Sequence, residues 1–201
     1  MAAQRIGIFG GTFDPIHVGH LVCAQEVAWN YDLDRLLFMV CGKPALKDTT
    51  SLSDAEDRYW MCCLATADNP TFEVSRLELE RIGTTYTIDT LRELQTQLDP
   101  EDELFFIMGA DALRDVPDWK DAYQVGQYAH FVVATRPGTD LSAARELLAG
   151  RLPDFHYDVV ELPAIDLSSR DIRRRVADGQ SIRYLLPEEV EHYVRERELY
   201  C

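Results

Sequence analysis

Short apolar runs alternate with longer stretches of helical periodicity along the whole chain. Ile6, Ile8 and Phe9 make a buried strand that Gly10 and Gly11 stop. From 19 to about 30 the spacing of Leu21, Ala24, Val27 and Ala28 predicts one apolar helix face. Residues 36–41 read as a second strand, broken by Gly42-Lys43-Pro44. Ser53 or Asp54 then caps a helix carrying Tyr59, Met61, Cys62, Leu64 and Ala65, which Asn69-Pro70 ends. Further strands are expected at 72–77, 104–108, 131–134 and 157–162. Helices are expected at 87–98 and 141–148, with two short ones around Trp119 and a closing pair at 168–178 and 187–199. Trp29 and Trp60, on helix faces, read as packing side chains.

Strands separated by helices imply an α/β fold: a Rossmann-like, doubly wound parallel sheet covered on both faces, with a small C-terminal helical extension from about 165 to 201. The 201 residues suit a single domain able to bury a substantial core. Ligands in such sheets bind at the carboxyl ends of strands, beside a topological switch point. The polar motifs of this chain fall there, just after predicted strands or at helix starts.

Charge narrows the classes of partner. Thirty-five acidic residues against 20 basic ones give a net −15, which repels nucleic-acid backbone and anionic lipid. One segment inverts this sign: Arg170, Arg173, Arg174 and Arg175 crowd together with Asp171 alone opposing them. Five cysteines without C-x-x-C spacing argue against a disulfide framework or structural zinc and for a reducing compartment. Met-Ala-Ala-Gln-Arg leads straight into the first strand and no apolar run reaches spanning length, so a cytoplasmic protein is expected. Association into oligomers is left open.

The chemistry concentrates in Gly10-Gly11-Thr12-Phe13-Asp14-Pro15-Ile16-His17-Val18-Gly19-His20. Glycines at a strand end let backbone N–H groups approach a phosphate, and the next helix points its positive end there. His17 and His20 are three apart and share a face of the first turn. The spacing is not that of the H-E-x-x-H zinc helix, and the glycines do not make G-x-G-x-x-G.

This stretch resembles the phosphate loop and H-x-G-H motif of the nucleotidyltransferase superfamily, and Gly-Gly-Thr-Phe-Asp-Pro-Ile-His is similar to that of the nicotinate mononucleotide adenylyltransferases. The resemblance extends over essentially the whole chain. It implies ATP and nicotinate mononucleotide as substrates, with Gly10, Gly11, Thr12 and Phe13 around ATP, His20 facing the α-phosphate and His17 helping to hold ATP. Lys47 ends a Gly-x-Pro-x-x-Lys form of the family's second loop. Asp166-Leu167-Ser168-Ser169-Arg170-Asp171-Ile172-Arg173 resembles the Ile-Ser-Ser-Thr-x-Ile-Arg element, with Arg170 at the usual threonine. Ser168 and Ser169 would offer hydroxyls and N–H groups to an anion and Arg173 would grip the β- and γ-phosphates. Gly109-Ala110-Asp111 looks like a ribose-binding turn, and Arg183 is a second candidate phosphate contact. Thr84, Thr85, Tyr86 and Thr87 open a helix where N–H groups would meet the nicotinate carboxylate. Trp119 would stack on the pyridine.

The implied reaction needs no protein base. A mononucleotide phosphate is largely ionised near neutral pH, its second pKa being about 6. What must be managed is charge on the α-phosphoryl group in flight and on departing pyrophosphate, by positioning and fixed positive groups. No metal ligands are expected from the chain; Mg²⁺ would be held mainly by the ATP phosphates. Two rivals stand beside this reading. One is another transferase of the same fold, acting on nicotinamide mononucleotide, phosphopantetheine or a cytidylyl group. The other is a nucleotide-binding domain without turnover.

Overall fold

A computed structural model describes residues 3–45 and 52–201. Six strands, β1 (Arg5–Gly11), β2 (Arg35–Val40), β3 (Phe72–Ser75), β4 (Glu103–Gly109), β5 (His130–Thr135) and β6 (Tyr157–Glu161), form one sheet in the order β3-β2-β1-β4-β5-β6. All neighbours run parallel, with Ile8 beside Leu37 of β2 and Phe106 of β4. Between strands lie α1 (Val18–Asn30), α2 (Ala55–Thr66), a helical turn α3 (Leu77–Glu80), α4 (Thr87–Gln97) and α5 (Ser142–Arg151). Three 3₁₀ turns, Ala110–Arg114, Val116–Asp118 and Ala122–Gln127, link β4 to β5. The chain closes with α6 (Ser169–Ala177) and α7 (Glu188–Glu196).

Alternation along each strand sends side chains to two cores. Ile6 and Ile8 of β1 join Leu37, Met39, Ile88 and Leu91 on the α4–α5 face. Phe9 joins Phe38, Val27, Met61, Val190 and Val194 on the face of α1, α2, α6 and α7. Each such fully buried aliphatic or aromatic side chain is worth about 1.5–3 kcal/mol against exposure. The C-terminal helices therefore complete the first core. Among the described residues no helix is long and apolar enough to cross a membrane.

Two expectations are corrected. The fifth predicted element was a strand over 72–77, but β3 stops at Ser75, whose hydroxyl accepts the Leu77 N–H at 3.2 Å and starts α3. The Leu-Glu-Leu-Glu alternation there does not split core from solvent: Leu77 and Leu79 pack into opposite cores and Glu78 is buried between them. Trp29 and Trp60 are 79 % and 52 % exposed, so their helix faces look outward.

The sheet order reverses at β1. The chain steps outward from β1 to β2 and β3, then returns through α4 to place β4 on the other side of β1. In open sheets of this kind ligands bind at the carboxyl ends of the strands flanking such a reversal, here β1 and β4.

Candidate active site

Gly11 ends β1, and the motif continues from that carboxyl end into α1. His17 is the N-cap of α1, in extended backbone, and His20 lies on its first turn. The two rings stack, with centroids 3.7 Å apart and planes inclined by 20°. The His17 N–H donates to His20 Nδ1 at 3.3 Å. Gly19 makes this possible: a Cβ there would sit 3.1 Å from the His17 ring. A lone pair at Nδ1 fixes the His20 proton on Nε2, so this ring is a neutral donor through Nε2–H.

His17 is buried, and its Nδ1 has no hydrogen-bond partner among the described residues. Burial first, and the Arg136 guanidinium second, bring its pKa down to about 4. His17 is therefore neutral at physiological pH. Two arginines at this end of the sheet are tied to the segments around the motif and the start of α6. Arg173 of α6 donates to the Asp14 carbonyl at 2.6 Å, which fixes it against the motif. Arg136, just past β5, donates to Asp166 at 2.7 Å and to the Leu167 carbonyl at 3.3 Å, immediately before α6 begins.

The remaining expected site residues are placed as follows. Gly10 is exposed, whereas Phe13 has a left-handed φ of 49° and a ring only 2 % exposed. That ring packs edge-on against His20 with centroids 5.1 Å apart, so Phe13 backs the histidine and can meet a ligand only through its backbone. The Thr12 carbonyl is held by Arg58 at 2.8 Å. Both serine hydroxyls of α6 are engaged internally. Ser168 caps the helix, donating to Asp171 at 2.6 Å and accepting its N–H at 3.2 Å, and Ser169 donates to the Pro15 carbonyl at 2.9 Å. The first-turn backbone N–H groups of α6 other than that of Asp171 are what this helix start can offer an anion.

Gly109 ends β4 and Asp111, exposed, follows in the first 3₁₀ turn. Thr84 to Thr87 run into the start of α4, with Tyr86 its N-cap. The Thr85 N–H donates to the Lys43 carbonyl at 2.9 Å, and Thr85 pairs with Pro44 as a parallel bridge. The buried Thr85 hydroxyl lies beside the Cys41 thiol. Trp119, partly buried, meets Phe106 edge-on at 5.9 Å. Arg183 is exposed, with its guanidinium 5.2 Å from the ring of its neighbour Tyr184. Lys47 lies outside the described residues.

The parallel sheet with its helices on both faces agrees with the comparisons to known proteins. Residues 8–175 match the cytidylyltransferase-like family. The chain belongs to the cytidylyltransferase-like family. A probable nicotinate-nucleotide adenylyltransferase of Frankia alni is 50 % identical over 191 residues, covering 95 % of this chain and 97 % of that protein. Another, of Moorella thermoacetica, is 46 % identical over 98 % of this chain and 91 % of its own length. In fold the chain is similar to the Plasmodium falciparum nicotinic acid mononucleotide adenylyltransferase solved in complex with NaAD, with a TM-score of 0.78 at 19 % identity over 98 % of this chain and 97 % of that one.

The match to the cytidylyltransferase-like family ends inside α6, so the loop of Arg183, helix α7 and the last residues lie beyond it. They still reach the site: the Leu185 carbonyl accepts the Val18 N–H at 3.0 Å, at the start of α1. Residue patterns also missed the side chains that brace the loops. Arg58, 1 % exposed, donates to the carbonyls of Thr12, Cys41, Gly42 and Ser53. Asp14, also 1 % exposed, accepts the Tyr200 hydroxyl at 2.7 Å and the Ser53 N–H at 3.3 Å.

Proposed function

We infer that this chain transfers the adenylyl group of ATP to nicotinate mononucleotide, giving nicotinate adenine dinucleotide and pyrophosphate in the synthesis of NAD. The observation that carries this reading is the stacked His17–His20 pair on the family's phosphate loop, in a chain 50 % identical to a relative of that name. The mononucleotide phosphate oxygen attacks the α-phosphorus, the bond from that phosphorus to the bridging oxygen breaks, and pyrophosphate leaves in line. No covalent intermediate is needed because the nucleophile arrives ionised.

The residues divide the work by charge. His20, a neutral donor at Nε2, aims a hydrogen bond at an α-phosphoryl oxygen as its charge rises. His17, also neutral, holds ATP without adding a cation that would tighten the ground state. Arg173 and the N–H groups opening α6 receive the β- and γ-phosphates, with Lys47 from the second loop. Asp111 accepts hydrogen bonds from ribose hydroxyls. The nicotinate carboxylate meets N–H groups at the start of α4, and Trp119 covers the ring. A neutral carboxamide would forgo the helix-terminus field and set its own NH₂ against N–H donors.

Mg²⁺ would come with the nucleotide rather than from a protein site. Among the described residues no group of three or more His, Cys, Asp or Glu side chains could hold a metal ion. The Asp14 carboxylate within the motif is already taken by Tyr200 and Ser53. The ATP phosphates and water would supply its oxygen ligands and so neutralise charge on the transferring group.

Pyrophosphate release with ATP and each of nicotinate mononucleotide, nicotinamide mononucleotide and phosphopantetheine tests the assignment. The acid mononucleotide is expected to give the highest kcat/KM. Equal or faster turnover of the amide would overturn the choice of acceptor.

A further inference from the structure

The last residues of the chain fold back onto the phosphate loop. Past α7, Glu198 and Tyr200 both take left-handed backbone, with φ of 50° and 66°, and this turns the tyrosine ring inward against the first core. Its hydroxyl donates to Asp14 Oδ1 at 2.7 Å, across 186 residues of sequence. Burial and the Asp14 charge both raise the Tyr200 pKa, which keeps the phenol a donor at any working pH.

Asp14 stands between two claims. Its Oδ2 accepts the Ser53 N–H at 3.3 Å and lies 3.8 Å from Arg173 Nη1. That same nitrogen donates to the Asp14 backbone carbonyl at 2.6 Å. A carboxylate beside a guanidinium ordinarily closes on it as a two-pronged pair, which would occupy the donors that a phosphate needs. Here the pair stays open, because Tyr200 and Ser53 satisfy the two carboxylate oxygens with neutral donors.

We propose that Tyr200 is a positioning residue for ATP: its hydroxyl holds the Asp14 carboxylate off Arg173, leaving the rest of that guanidinium to face the phosphates. The role rests on the adenylyl-transfer reading and deepens it. It also gives the C-terminal segment, which lies outside the family match, a function beyond filling the core.

Tyr200→Phe keeps the ring and removes the donor. Calorimetric binding of a non-hydrolysable ATP analogue should weaken roughly tenfold, the scale of one hydrogen bond to a charged group. KM for ATP should rise with it, while KM for nicotinate mononucleotide stays within about twofold, as expected where one interaction on the ATP side alone is lost. In an Asp14→Asn background the Tyr200→Phe penalty should vanish, since an amide does not compete for Arg173. Arg197→Gln is the control for mere loosening of the C-terminus, because it cuts the 3.0 Å tie from the end of α7 to Asp57 on α2. It should lower the melting temperature and leave ATP binding alone. The role is overturned if Tyr200→Phe binds the analogue as wild type does, if both substrates are weakened alike, or if the penalty persists with Asp14→Asn. A wild-type chain that binds no ATP analogue would instead overturn the adenylyl-transfer reading, and this role with it.

Discussion

His17 lies against His20 with ring centroids 3.7 Å apart, and its backbone N–H donates to His20 Nδ1 at 3.3 Å. The second histidine is thus oriented by the main chain of the first, and its one proton is left at Nε2. A donor pre-aligned in this way stabilises charge that develops during transfer more than charge already present in bound ATP. His20→Ala should lower kcat by roughly 10²–10³, the usual loss for one such donor, with a much smaller change in ATP affinity. His20→Gln, with an amide NH₂ near the Nε2 position, should recover part of the rate. A variant that loses ATP binding while keeping kcat would make His20 a ground-state ligand only.

His17 makes a prediction about pH. Its pKa falls from 6.5 to about 4 on folding, through burial and then Arg136. Between those values the unfolded chain takes up a proton that the folded chain refuses, so stability rises with pH across this window and declines as pH drops from about 6.5 to 4. The contribution is about 3 kcal/mol at most, or on the order of 5–10 °C in melting temperature for a chain of this size. Melting curves of wild type and His17→Asn between pH 4 and 7 isolate the effect. The variant should lose this part of the slope, and identical slopes would place the titrating group elsewhere.

Trp119 tests the acceptor pocket. It is packed on one edge against Phe106 at 5.9 Å and only partly buried, which leaves indole surface for a ligand ring. Trp119→Ala should raise KM for nicotinate mononucleotide by a factor corresponding to about 1–3 kcal/mol, the scale of a ring stacked on an aromatic side chain. KM for ATP should stay within about twofold, and Trp119→Phe should recover much of the loss. Parallel losses of both substrates, tracking a lower melting temperature, would return Trp119 to the core.

Legibility in the sequence followed the distance between interacting residues. The run from Gly10 to His20 is local, so its resemblance to the family's phosphate loop was legible, and the two histidine rings share one face at the start of α1 as read, His17 as its N-cap and His20 on its first turn. Strand and helix positions followed from apolar periodicity, except where Glu78 is buried and accepts the Thr90 hydroxyl at 2.7 Å, and around Trp119, where three 3₁₀ turns replace the two short helices expected. The braces of the site were hidden because each joins distant segments. Nothing near Tyr200 in sequence signals Asp14, and Arg58 sits in Ala-Glu-Asp-Arg, which reads as a solvated first turn. Local rules also overstated the freedom of Ser168, whose hydroxyl serves its own helix through Asp171.

Arg58 is the brace whose removal should be felt most widely. It is 1 % exposed and makes no ion pair among the described residues; its partners are the carbonyls of Thr12, Cys41, Gly42 and Ser53. One guanidinium thereby joins the phosphate loop, the end of β2 and the residue before the α2 cap. Arg58→Met fills similar volume but leaves buried carbonyls without a donor, each a loss of about 1–3 kcal/mol if water cannot enter. The melting temperature should fall by on the order of 10 °C, from about 2–4 °C per kcal/mol at this chain length. Arg58→Lys keeps a charge but cannot span all the carbonyls, so it should lie between the two. Because Thr12 belongs to the phosphate loop, ATP affinity should fall even at temperatures where Arg58→Met remains fully folded, as checked by circular dichroism. Wild-type melting in Arg58→Met would show that the loops are held by other contacts.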